Sequence, residues 1–422
     1  TGSVTFERNG DIDLIETDDV GAGNIFNGPL NVTVNGTGDV YLSRFGASTY
    51  NGNVTVQCAG SGAMDLFNSG ATINGNFVYN NTSTGNNLFG VPSAKTLITG
   101  SVNINIDNAN AGLFEMERVT NQTGGGNIFS NGTRGFNLSN DTLVLNQISI
   151  QNVQGTSFGT VYNNLLTGNL SCSDFSSGGN GYHFYMRNSN VNGNVSFTMN
   201  SNRNLYIGDN ANQPFTISGD VSVTLNGTGS VDFSLFSAVN VGGNVTFNRV
   251  GNGNVGLYNR GATVGGNFTY TSNSQSDVSI GNLTTSTIIA GTININSTHA
   301  APSLFEIQRI INQTGGGSIY INNSRGFNLT RDTLIADITL VEFGSSNFGT
   351  LYNCEIIGNT YISPATNSTN GYHTYVRSSV FNGEVRHYLA SSNNYYDSDA
   401  GTGNVYNGLV RYERTGSGAF SI

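Results

Sequence analysis

Several residue types are rare in this chain of 422 residues, and their scarcity limits the classes of protein to which it can belong. There is no tryptophan, there are five prolines, and Lys95 is the only lysine. Charged residues make up 10% of the chain, and the net charge of −10 argues against nucleic acid as a partner, because nucleic-acid binding usually needs a basic stripe. No apolar run is long enough to span a membrane and no signal peptide is visible, so we expect no membrane insertion.

The chain has repetition instead, at two scales. At the larger scale, Leu113-Phe114-Glu115 returns as Leu304-Phe305-Glu306, and the segment 121–126 returns as 312–317, both after 191 positions. Single-residue deletions later reduce the shift to 190 and then 189. A period this regular indicates a stacked array. We therefore divide the chain into a first repeat unit at 1–191, a second at 192–382 and the start of a third at 383–422, in a window of a longer array.

At the smaller scale a short phrase recurs, in which glycine and usually asparagine precede an apolar–polar–apolar triplet. Gly52-Asn53-Val54-Thr55-Val56 and Gly243-Asn244-Val245-Thr246-Phe247 are two examples. Successive lead glycines are 23 to 26 residues apart, except for two gaps of 67 and 68 residues that each fit three turns. One 191-residue unit therefore contains eight coils of about 24 residues.

The alternation within each phrase is that of a β-strand, whose side chains point to opposite faces in turn. Two further short strands follow in many coils, and no stretch has helical periodicity. The sequence predicts an all-β fold, a parallel β-solenoid (three-sided β-helix), with asparagine ladders at its corners. The polar members Thr55, Asn103, Ser196, Thr246 and Asn294 should face outward. The apolar members should form the core: Val54, Val56, Phe77, Val102, Ile104, Val195, Phe197, Val245, Phe247, Ile293 and Ile295.

The three cysteines have no counterparts in the other repeat. Cys58, Cys172 and Cys354 correspond to arginine, isoleucine and asparagine, which excludes a repeated disulfide framework. Cys172 occupies an apolar position of the phrase, so we interpret it as a small core residue.

The best candidate for ligand contact is the phrase Asn-Gly-Tyr-His-x-Tyr-x-Arg, which occurs in both units. Its alternating polar residues share one strand face. They are His183, Tyr185 and Arg187 in the first unit and His373, Tyr375 and Arg377 in the second. Such a set suits an anionic sugar or acid–base work. Because no cysteine or carboxylate cluster accompanies it, we favour surface contact and expect no catalysis.

Two acidic clusters allow calcium binding through oxygen ligands, although no cofactor is expected. They comprise Asp11, Asp13, Glu16, Asp18 and Asp19, and Asp397 with Asp399. They lack the nine-residue pattern of calcium-binding β-rolls, which favours solvated acidic corners. The paired arginines Arg118 and Arg309, and Arg134 and Arg325, are interpreted as corner-stabilising through ion pairs or carbonyl contacts.

The Gly-Asn-Val-Thr-Val phrase, with its Gly-Ala-Thr and Asn-Gly corners, resembles the solenoid segments of giant surface adhesins. The Asn-, Gly- and Thr-rich style looks most like Bacteroidota proteins exported by the type IX secretion system, including the grappling-hook fibres of gliding bacteria. Asp141-Thr142-Leu143 and Asp332-Thr333-Leu334 are similar to the motif at which these bacteria attach O-linked sugars. The resemblance implies O-glycosylation at Thr142 and Thr333 and a secreted, extracellular or cell-surface location.

These observations predict the structural shaft of an extracellular adhesive fibre that mediates attachment to cell surfaces or other cells. Bulky residues on the outward row, Val78, Tyr361, Arg386 and Arg411, suggest a homo-oligomeric parallel bundle, and surface glycans or other cells are further possible partners. The alternative is a carbohydrate-active β-solenoid enzyme, a lyase or hydrolase, which should interrupt the repeat with a unique charged cleft. Ice binding would need Thr-x-Thr rows, whereas the outward row here is mixed.

Overall fold

A computed structural model gives the protein's structure as two compact units, Thr1–Arg203 and Asn204–Ile422. Below, the first and the second unit are these two, and a stretch of 191 residues is called a repeat. The described residues are 2–16, 21–154, 159–173, 183–209, 215–298, 303–343, 349–364, 373–390, 392, 394–398 and 401–422, without the side chains of 108–111 and 373. Together they form an all-β parallel β-solenoid of about 15 turns with about 24 residues per turn, and these residues contain no helix. None of them therefore belongs to a helix of the length and hydropathy needed to cross a membrane.

Three strands form a typical turn, because each strand pairs in parallel with the third strand after it. The pairs β1–β4, β2–β5 and β3–β6 begin three stacked faces, which we call the first, second and third face in that order. In the middle of the first unit, β13, β15, β16 and β18 continue round a corner and contribute to two faces each. The predicted parallel solenoid is confirmed.

The first unit contains the following described strands: β1 Val4–Arg8, β2 Leu14–Ile15, β3 Ile25–Phe26, β4 Leu30–Val34, β5 Val40–Leu42, β6 Ser48–Tyr50, β7 Val54–Cys58, β8 Met64–Leu66, β9 Ala71–Ile73, β10 Phe77–Asn81, β11 Asn87–Phe89, β12 Thr96–Ile98, β13 Val102–Glu117, β14 Val119–Asn121, β15 Asn127–Ser139, β16 Thr142–Gln151, β17 Gly159–Tyr162, β18 Leu165–Ser173, β19 Phe184–Arg187, β20 Asn190–Asn192 and β21 Val195–Met199.

The second unit contains the following described strands: β22 Leu205–Ile207, β23 Phe215–Ile217, β24 Val221–Leu225, β25 Val231–Phe233, β26 Val239–Val241, β27 Val245–Arg249, β28 Val255–Leu257, β29 Ala262–Val264, β30 Phe268–Ser272, β31 Val278–Gly281, β32 Thr287–Ile289, β33 Ile293–Thr298, β34 Leu304–Gln308, β35 Ile310–Asn312, β36 Gly317–Asn322, β37 Gly326–Thr330, β38 Thr333–Leu334, β39 Asp337–Phe343, β40 Gly349–Tyr352, β41 Glu355–Ile356, β42 Thr360–Pro364, β43 His373–Arg377, β44 Val380–Phe381, β45 Val385–Leu389, β46 Asn394–Asp397, β47 Val405–Tyr406, β48 Val410–Arg414 and β49 Phe420–Ser421.

The core consists of the inward side chains of all three faces. Every apolar residue predicted to be buried is at most 2% exposed. The intervening Thr55, Asn103, Ser196 and Asn294 are half-buried and Thr246 is exposed, as expected for side chains on the outer face. Cys58, Cys172 and Cys354 are buried free thiols, and burial raises the pKa of Cys58 to about 12. The predicted alternation is confirmed.

Close stacking explains the glycine–asparagine phrase. A Cβ added to Gly75 would lie 2.7 Å from the carbonyl carbon of Gly52 in the preceding coil, which explains why glycine occupies this position in most coils. The next residue forms a ladder: Asn53 Oδ1 accepts the N–H of Asn76 at 2.9 Å, and Asn76 Oδ1 accepts the N–H of Ser101 at 2.9 Å. These contacts confirm the predicted asparagine ladders.

A second corner also repeats, because a residue with positive φ follows the second-face strand in successive turns. In the first unit these residues are Ser43, Phe67, Gly90, Arg118, Asn140, Asn163 and Asn188. In the second unit they are Gly208, Ser234, Tyr258, Gly281, Arg309, Arg331, Asn353, Ser378 and Ser398. Asparagine and glycine tolerate this left-handed conformation best, which explains part of their abundance. The side chains of Asn140, Asn163 and Asn188 bond to one another at 2.6 and 2.9 Å.

Candidate functional site

The outer side of the second face carries two columns of polar and aromatic side chains in the second unit. Parallel pairing places Glu306, Asn328, Thr350 and Tyr375 one above another in four successive coils. Two residues further along the same strands, Thr330, Tyr352 and Arg377 form the second column. We call these seven residues the second-face patch.

The second-face patch borders a groove with a volume of about 530 Å³. Its lining combines polar side chains with apolar surface: Leu304, Glu306, Phe327, Asn328, Thr330, Thr350, Tyr352 and Arg377. Tyr352 is 40% exposed, so one part of its ring is open to a ligand. A concave site of this size and mixed lining is typical of small-ligand binding.

Contacts within the patch fix several of its polar groups. Asn328 Nδ2 donates a hydrogen bond to Glu306 Oε1 at 3.3 Å, and Thr330 Oγ1 donates one to Asn328 Oδ1 at 2.6 Å. The guanidinium carbon of Arg377 lies 4.2 Å from the centre of the Tyr375 ring. A cation over an aromatic face is an attractive arrangement, so Tyr375 holds the guanidinium against the sheet.

The first unit has the same patch in the same register. Its residues are Glu115, Asn137, Ser139, Thr160, Tyr162, Tyr185 and Arg187. Arg187 again lies 4.2 Å from the ring centre of its tyrosine, here Tyr185, and His183 packs edge-on against that ring at 5.9 Å. Only serine in place of threonine distinguishes the seven residues from those of the second unit.

The outward residues of the patch are retained between the two units, whereas the inward ones change mainly on one strand pair. On the other strands of the patch most inward residues are also identical: Phe114 and Phe305, Phe136 and Phe327, Leu138 and Leu329, and Gly159 and Gly349. On β19 and β43, Tyr185 and Arg187 match Tyr375 and Arg377, whereas the buried Phe184 and Met186 become Thr374 and Val376. On this strand pair packing alone would favour the opposite pattern, because it constrains the core more than the surface. The exposed tyrosine and arginine of this strand are thus retained although the core residues beside them are not.

The retention is local to these coils. In the three preceding coils of the same face, the outward residue differs between the units at every step. The pairs are Tyr41 and Asp232, Asp65 and Gly256, and Leu88 and Ser279.

The structure thus places residues from neighbouring strands beside those of the predicted ligand phrase. Tyr185 with Arg187, and Tyr375 with Arg377, lie together on an outer face, whereas the His373 side chain and the residues 180–182 and 370–372 lie outside the described part. The sequence interpretation missed Glu306, Asn328, Thr350 and Tyr352, because coils of about 24 residues separate them along the chain. Comparing outward positions between the repeats would have found them.

The acidic clusters are not solvated corners throughout, and that interpretation was wrong for Glu16 and Asp397. Glu16 is 6% exposed and Asp397 is 3% exposed. Each carboxylate is surrounded by donors of the chain itself, which replace water. Asp11 and Asp13 are exposed and accept hydrogen bonds from Thr37 Oγ1 at 2.7 Å and from the N–H of Asp39 at 2.9 Å.

Calcium binding at these clusters stays without support from the described residues. Asp18, Asp19 and Asp399 lie outside them. Within the described part of the chain, no group of three or more histidine, cysteine, aspartate or glutamate residues could hold a metal ion.

The threonines expected to carry O-linked sugars lie half-buried on third-face strands. The preceding aspartates are core residues: Asp141 and Asp332 are each 1% exposed, and each accepts a backbone N–H at 2.8 Å, from Val119 and Ile310 respectively. Burial raises the pKa of Asp332 to about 8, against the lowering effect of the N–H groups of Ile310 and Thr330. Burial likewise raises the pKa of Asp141.

Three of the four arginines interpreted as corner-stabilising contact carbonyls or a carboxylate. Arg118 and Arg309 donate to the carbonyl oxygens of Pro92 at 2.6 Å and Leu283 at 3.4 Å. Arg325 lies 3.6 Å from Asp277. The triple glycines at 124–126 and 315–317 all have positive φ, so their recurrence follows from a left-handed corner.

The outward arginines thought to favour assembly already have partners within the chain. Arg386 pairs with Glu413 at 3.1 Å and Arg411 with Glu384 at 3.4 Å, in each case between neighbouring coils. They are therefore weaker signs of an interface than their exposure alone suggests.

No protein-family model, curated protein or solved structure matches the chain.

Proposed function

We propose that the protein is a structural shaft segment of an extracellular adhesive fibre or appendage that mediates attachment to cell surfaces or other cells. The observation that carries the proposal is the repetition of the same corner contacts from coil to coil. The stacked lead glycines and the asparagine ladder form between a coil and its neighbour, and the left-handed corner recurs in successive coils. Such an array lengthens without needing a new core, which suits a long shaft.

The proposal includes a 191-residue building block of eight coils, with segments at 1–191, 192–382 and 383–422. The left-handed positions support it, since Ser43 and Ser234, Gly90 and Gly281, and other pairs are 191 residues apart. The resemblance to type IX-secreted adhesins of Bacteroidota supports a secreted location and the O-glycosylation of Thr142 and Thr333. No cofactor, nucleic acid or membrane insertion enters this function.

We propose no catalytic role for the chain, and a lyase or hydrolase is the alternative. The groove beside the second-face patch is the feature that bears on it. Glycoside hydrolases generally use a pair of carboxylates, whereas Glu306 is the single carboxylate among the groove-lining residues described above. The occurrence of the same patch in both units also suits repeated contact better than one active site.

The shaft is proposed to assemble as a parallel homo-oligomeric bundle, and mass per length tests this point. A chain of 44.5 kDa and 422 residues that advances about 4.8 Å per 24 residues has about 5 kDa per nm. Scanning transmission electron microscopy of native fibres should give at least twice that value. A mass per length that corresponds to one chain along the whole fibre would contradict the bundle but not the solenoid shaft.

A further inference from the structure

We propose that the second-face patch is a saccharide-binding site, present once in each unit, for a short oligosaccharide that carries a carboxylate. The inference deepens the proposed adhesive function, on which it rests only for its biological purpose. The site places a ligand on the side of the shaft itself. Failure of the saccharide proposal would leave the shaft proposal untouched.

The shape of the site favours a small ligand over a second protein chain. Pockets for small ligands are concave and typically have volumes of about 300 to 1,000 Å³. The groove in the second unit has about 530 Å³ and opens between the coils that carry Glu306 and Arg377. Three steps between four coils span about 15 Å along the face, which suits a chain of a few sugar rings.

The lining offers the chemistry that sugars need. Glu306 accepts hydrogen bonds from hydroxyl groups, and Asn328 and Thr350 can both donate and accept them. The exposed ring of Tyr352 supplies an apolar surface beside these polar groups, as amphipathic aromatic residues do at binding sites. Alternating polar and apolar contacts match a pyranose ring, which has hydroxyl groups at its edge and C–H groups on its faces.

Arg377 determines the charge of the ligand. A guanidinium binds a carboxylate through two parallel hydrogen bonds, which gives both strength and orientation. The Tyr375 ring positions this guanidinium at the groove from 4.2 Å, so little of its freedom is lost on binding. A sugar with a carboxylate, such as a uronic or sialic acid, is therefore the class of ligand that fits.

The two sites differ in charge at a position beside the patch, which predicts unequal affinities. Glu117 lies beside the patch of the first unit, where the second unit has Gln308. Because Glu117 adds a carboxylate that Gln308 lacks, the first site is the more negative environment, and burial together with the charge of Glu117 raises the pKa of Glu115. Like charges repel, and the first site should bind an anionic sugar more weakly than the second.

Isothermal titration calorimetry on the whole chain tests the proposal. The ligands are a galacturonic acid trisaccharide, a hyaluronan tetrasaccharide and sialyllactose, with maltotriose and lactose as neutral counterparts. At least one acidic ligand should bind at two sites per chain, at least about tenfold more tightly than its neutral counterpart, as expected for a charged hydrogen-bonded pair. The absence of binding by all three acidic ligands would overturn the proposal.

Variants assign the binding to the patch. Arg377→Gln should remove the tighter site and reduce the stoichiometry from two to one, and Arg187→Gln combined with Arg377→Gln should abolish binding. Glu117→Gln should bring the two affinities together. Arg411→Gln removes an exposed arginine outside the patch and should change nothing.

Circular dichroism checks that each variant keeps its fold. Undiminished binding by the double variant would overturn the assignment. So would a loss of self-association in the double variant, measured by analytical ultracentrifugation, without any sugar binding by the parent chain. That result would make the patch an interface between copies.

Discussion

At the residue scale, three equivalent core positions are filled in chemically different ways. Glu16, Ile207 and Asp397 occupy the same place in successive repeats and all are buried. Glu16 accepts hydrogen bonds from the N–H of Ser43 at 2.6 Å and from Ser48 Oγ at 2.7 Å. It also accepts from Asn24 Nδ2 at 2.8 Å and Tyr50 OH at 3.1 Å. The carboxylate is thus stabilised by four donors.

The third repeat uses a different set of donors for the same purpose. Asp397 accepts hydrogen bonds from Tyr406 OH at 2.6 Å, Tyr412 OH at 2.7 Å and Ser398 Oγ at 3.1 Å, and from Asn404 Nδ2. Where Ile207 replaces the carboxylate, the residue equivalent to Asn24 and Asn404 is the buried Phe215. Polar residues thus occur with polar partners and apolar with apolar, because a buried charge needs its donors.

Reciprocal substitutions test whether these positions are specified by their partners. Glu16→Ile should lower the free energy of unfolding by about 2 to 4 kcal/mol, because the N–H of Ser43 and the hydroxyls of Ser48 and Tyr50 lose their acceptor. Ile207→Glu should cost about 3 kcal/mol or more, since the buried Val239 and Phe215 take the places of Ser48 and Asn24 and offer no side-chain donor. Denaturant unfolding of both variants measures this. An unchanged free energy of unfolding in either variant would contradict the idea that the partners specify these residues.

Neighbouring residues on one strand test the alternation itself. Val245 is fully buried and Thr246 is exposed. Val245→Asp should cost about 4 kcal/mol or prevent folding, because an unpaired carboxylate enters an apolar stack. Thr246→Asp should change stability by about 0.5 kcal/mol at most. Equal tolerance of the two substitutions in thermal unfolding would show that the inward and outward faces are assigned wrongly.

Residue patterns explain which features could be predicted from the sequence. Val245 and Thr246 alternate within five residues, so their burial follows from local periodicity alone. The burial of Glu16 depends on Ser48 and Tyr50, which are more than thirty residues away along the chain. An acidic residue in a polar segment looks solvated until those donors are placed beside it, and the sequence interpretation therefore failed there.

At the element scale, the corners after several consecutive second-face strands of each unit contain a line of buried polar contacts. Asp141 accepts the N–H of Val119 and donates its own N–H to Asn164 Oδ1 at 2.8 Å. In the second unit, Asp332 and Cys354 occupy the corresponding places, and the N–H of Cys354 bonds to Ser379 Oγ at 3.1 Å. The Asp-Thr-Leu tripeptides thus have a structural role at this corner, whether or not their threonines are modified.

The raised pKa of Asp332 predicts a specific dependence of stability on pH. The folded chain holds this proton up to about pH 8, whereas an unfolded aspartate releases it near its ordinary pKa of about 3.9. The contribution of the protonated side chain is therefore complete below about pH 4 and is lost as the pH rises through 8.

Asp332→Asn removes this titration and keeps an oxygen that can accept the N–H of Ile310. The stability of the parent chain relative to the variant should fall from pH 4 to pH 8 and then level off. Urea unfolding of both proteins across this range measures the difference. A relative stability that rises with pH would show that Asp332 is ionised in the fold.

The second-face patch also belongs to the element scale, since four coils contribute one or two residues each. Sequence periodicity identified Tyr185 and Arg187 because they share one strand. It did not identify Glu115, Asn137 or Thr160, because only the parallel register brings them into the same column. Sites assembled across coils need the register as well as the strand pattern.

At the scale of the whole molecule, stability is a sum over neighbouring coils. Contacts such as the asparagine ladder are made between one coil and the next, and they recur in both units. A saccharide site in each repeat would then appear at regular intervals along a shaft. The distance between sites, and with it the spacing of attachment points, would be set by the number of coils per repeat.

Diffraction from oriented native fibres tests the shaft most directly. If the coils stack along the fibre, a reflection near 4.8 Å should lie on the meridian, with a longer axial repeat near 38 Å from eight coils. Reflections at these spacings parallel to the fibre axis are the result that a solenoid shaft predicts. A spacing near 4.8 Å on the equator, with strands running along the fibre, would contradict it.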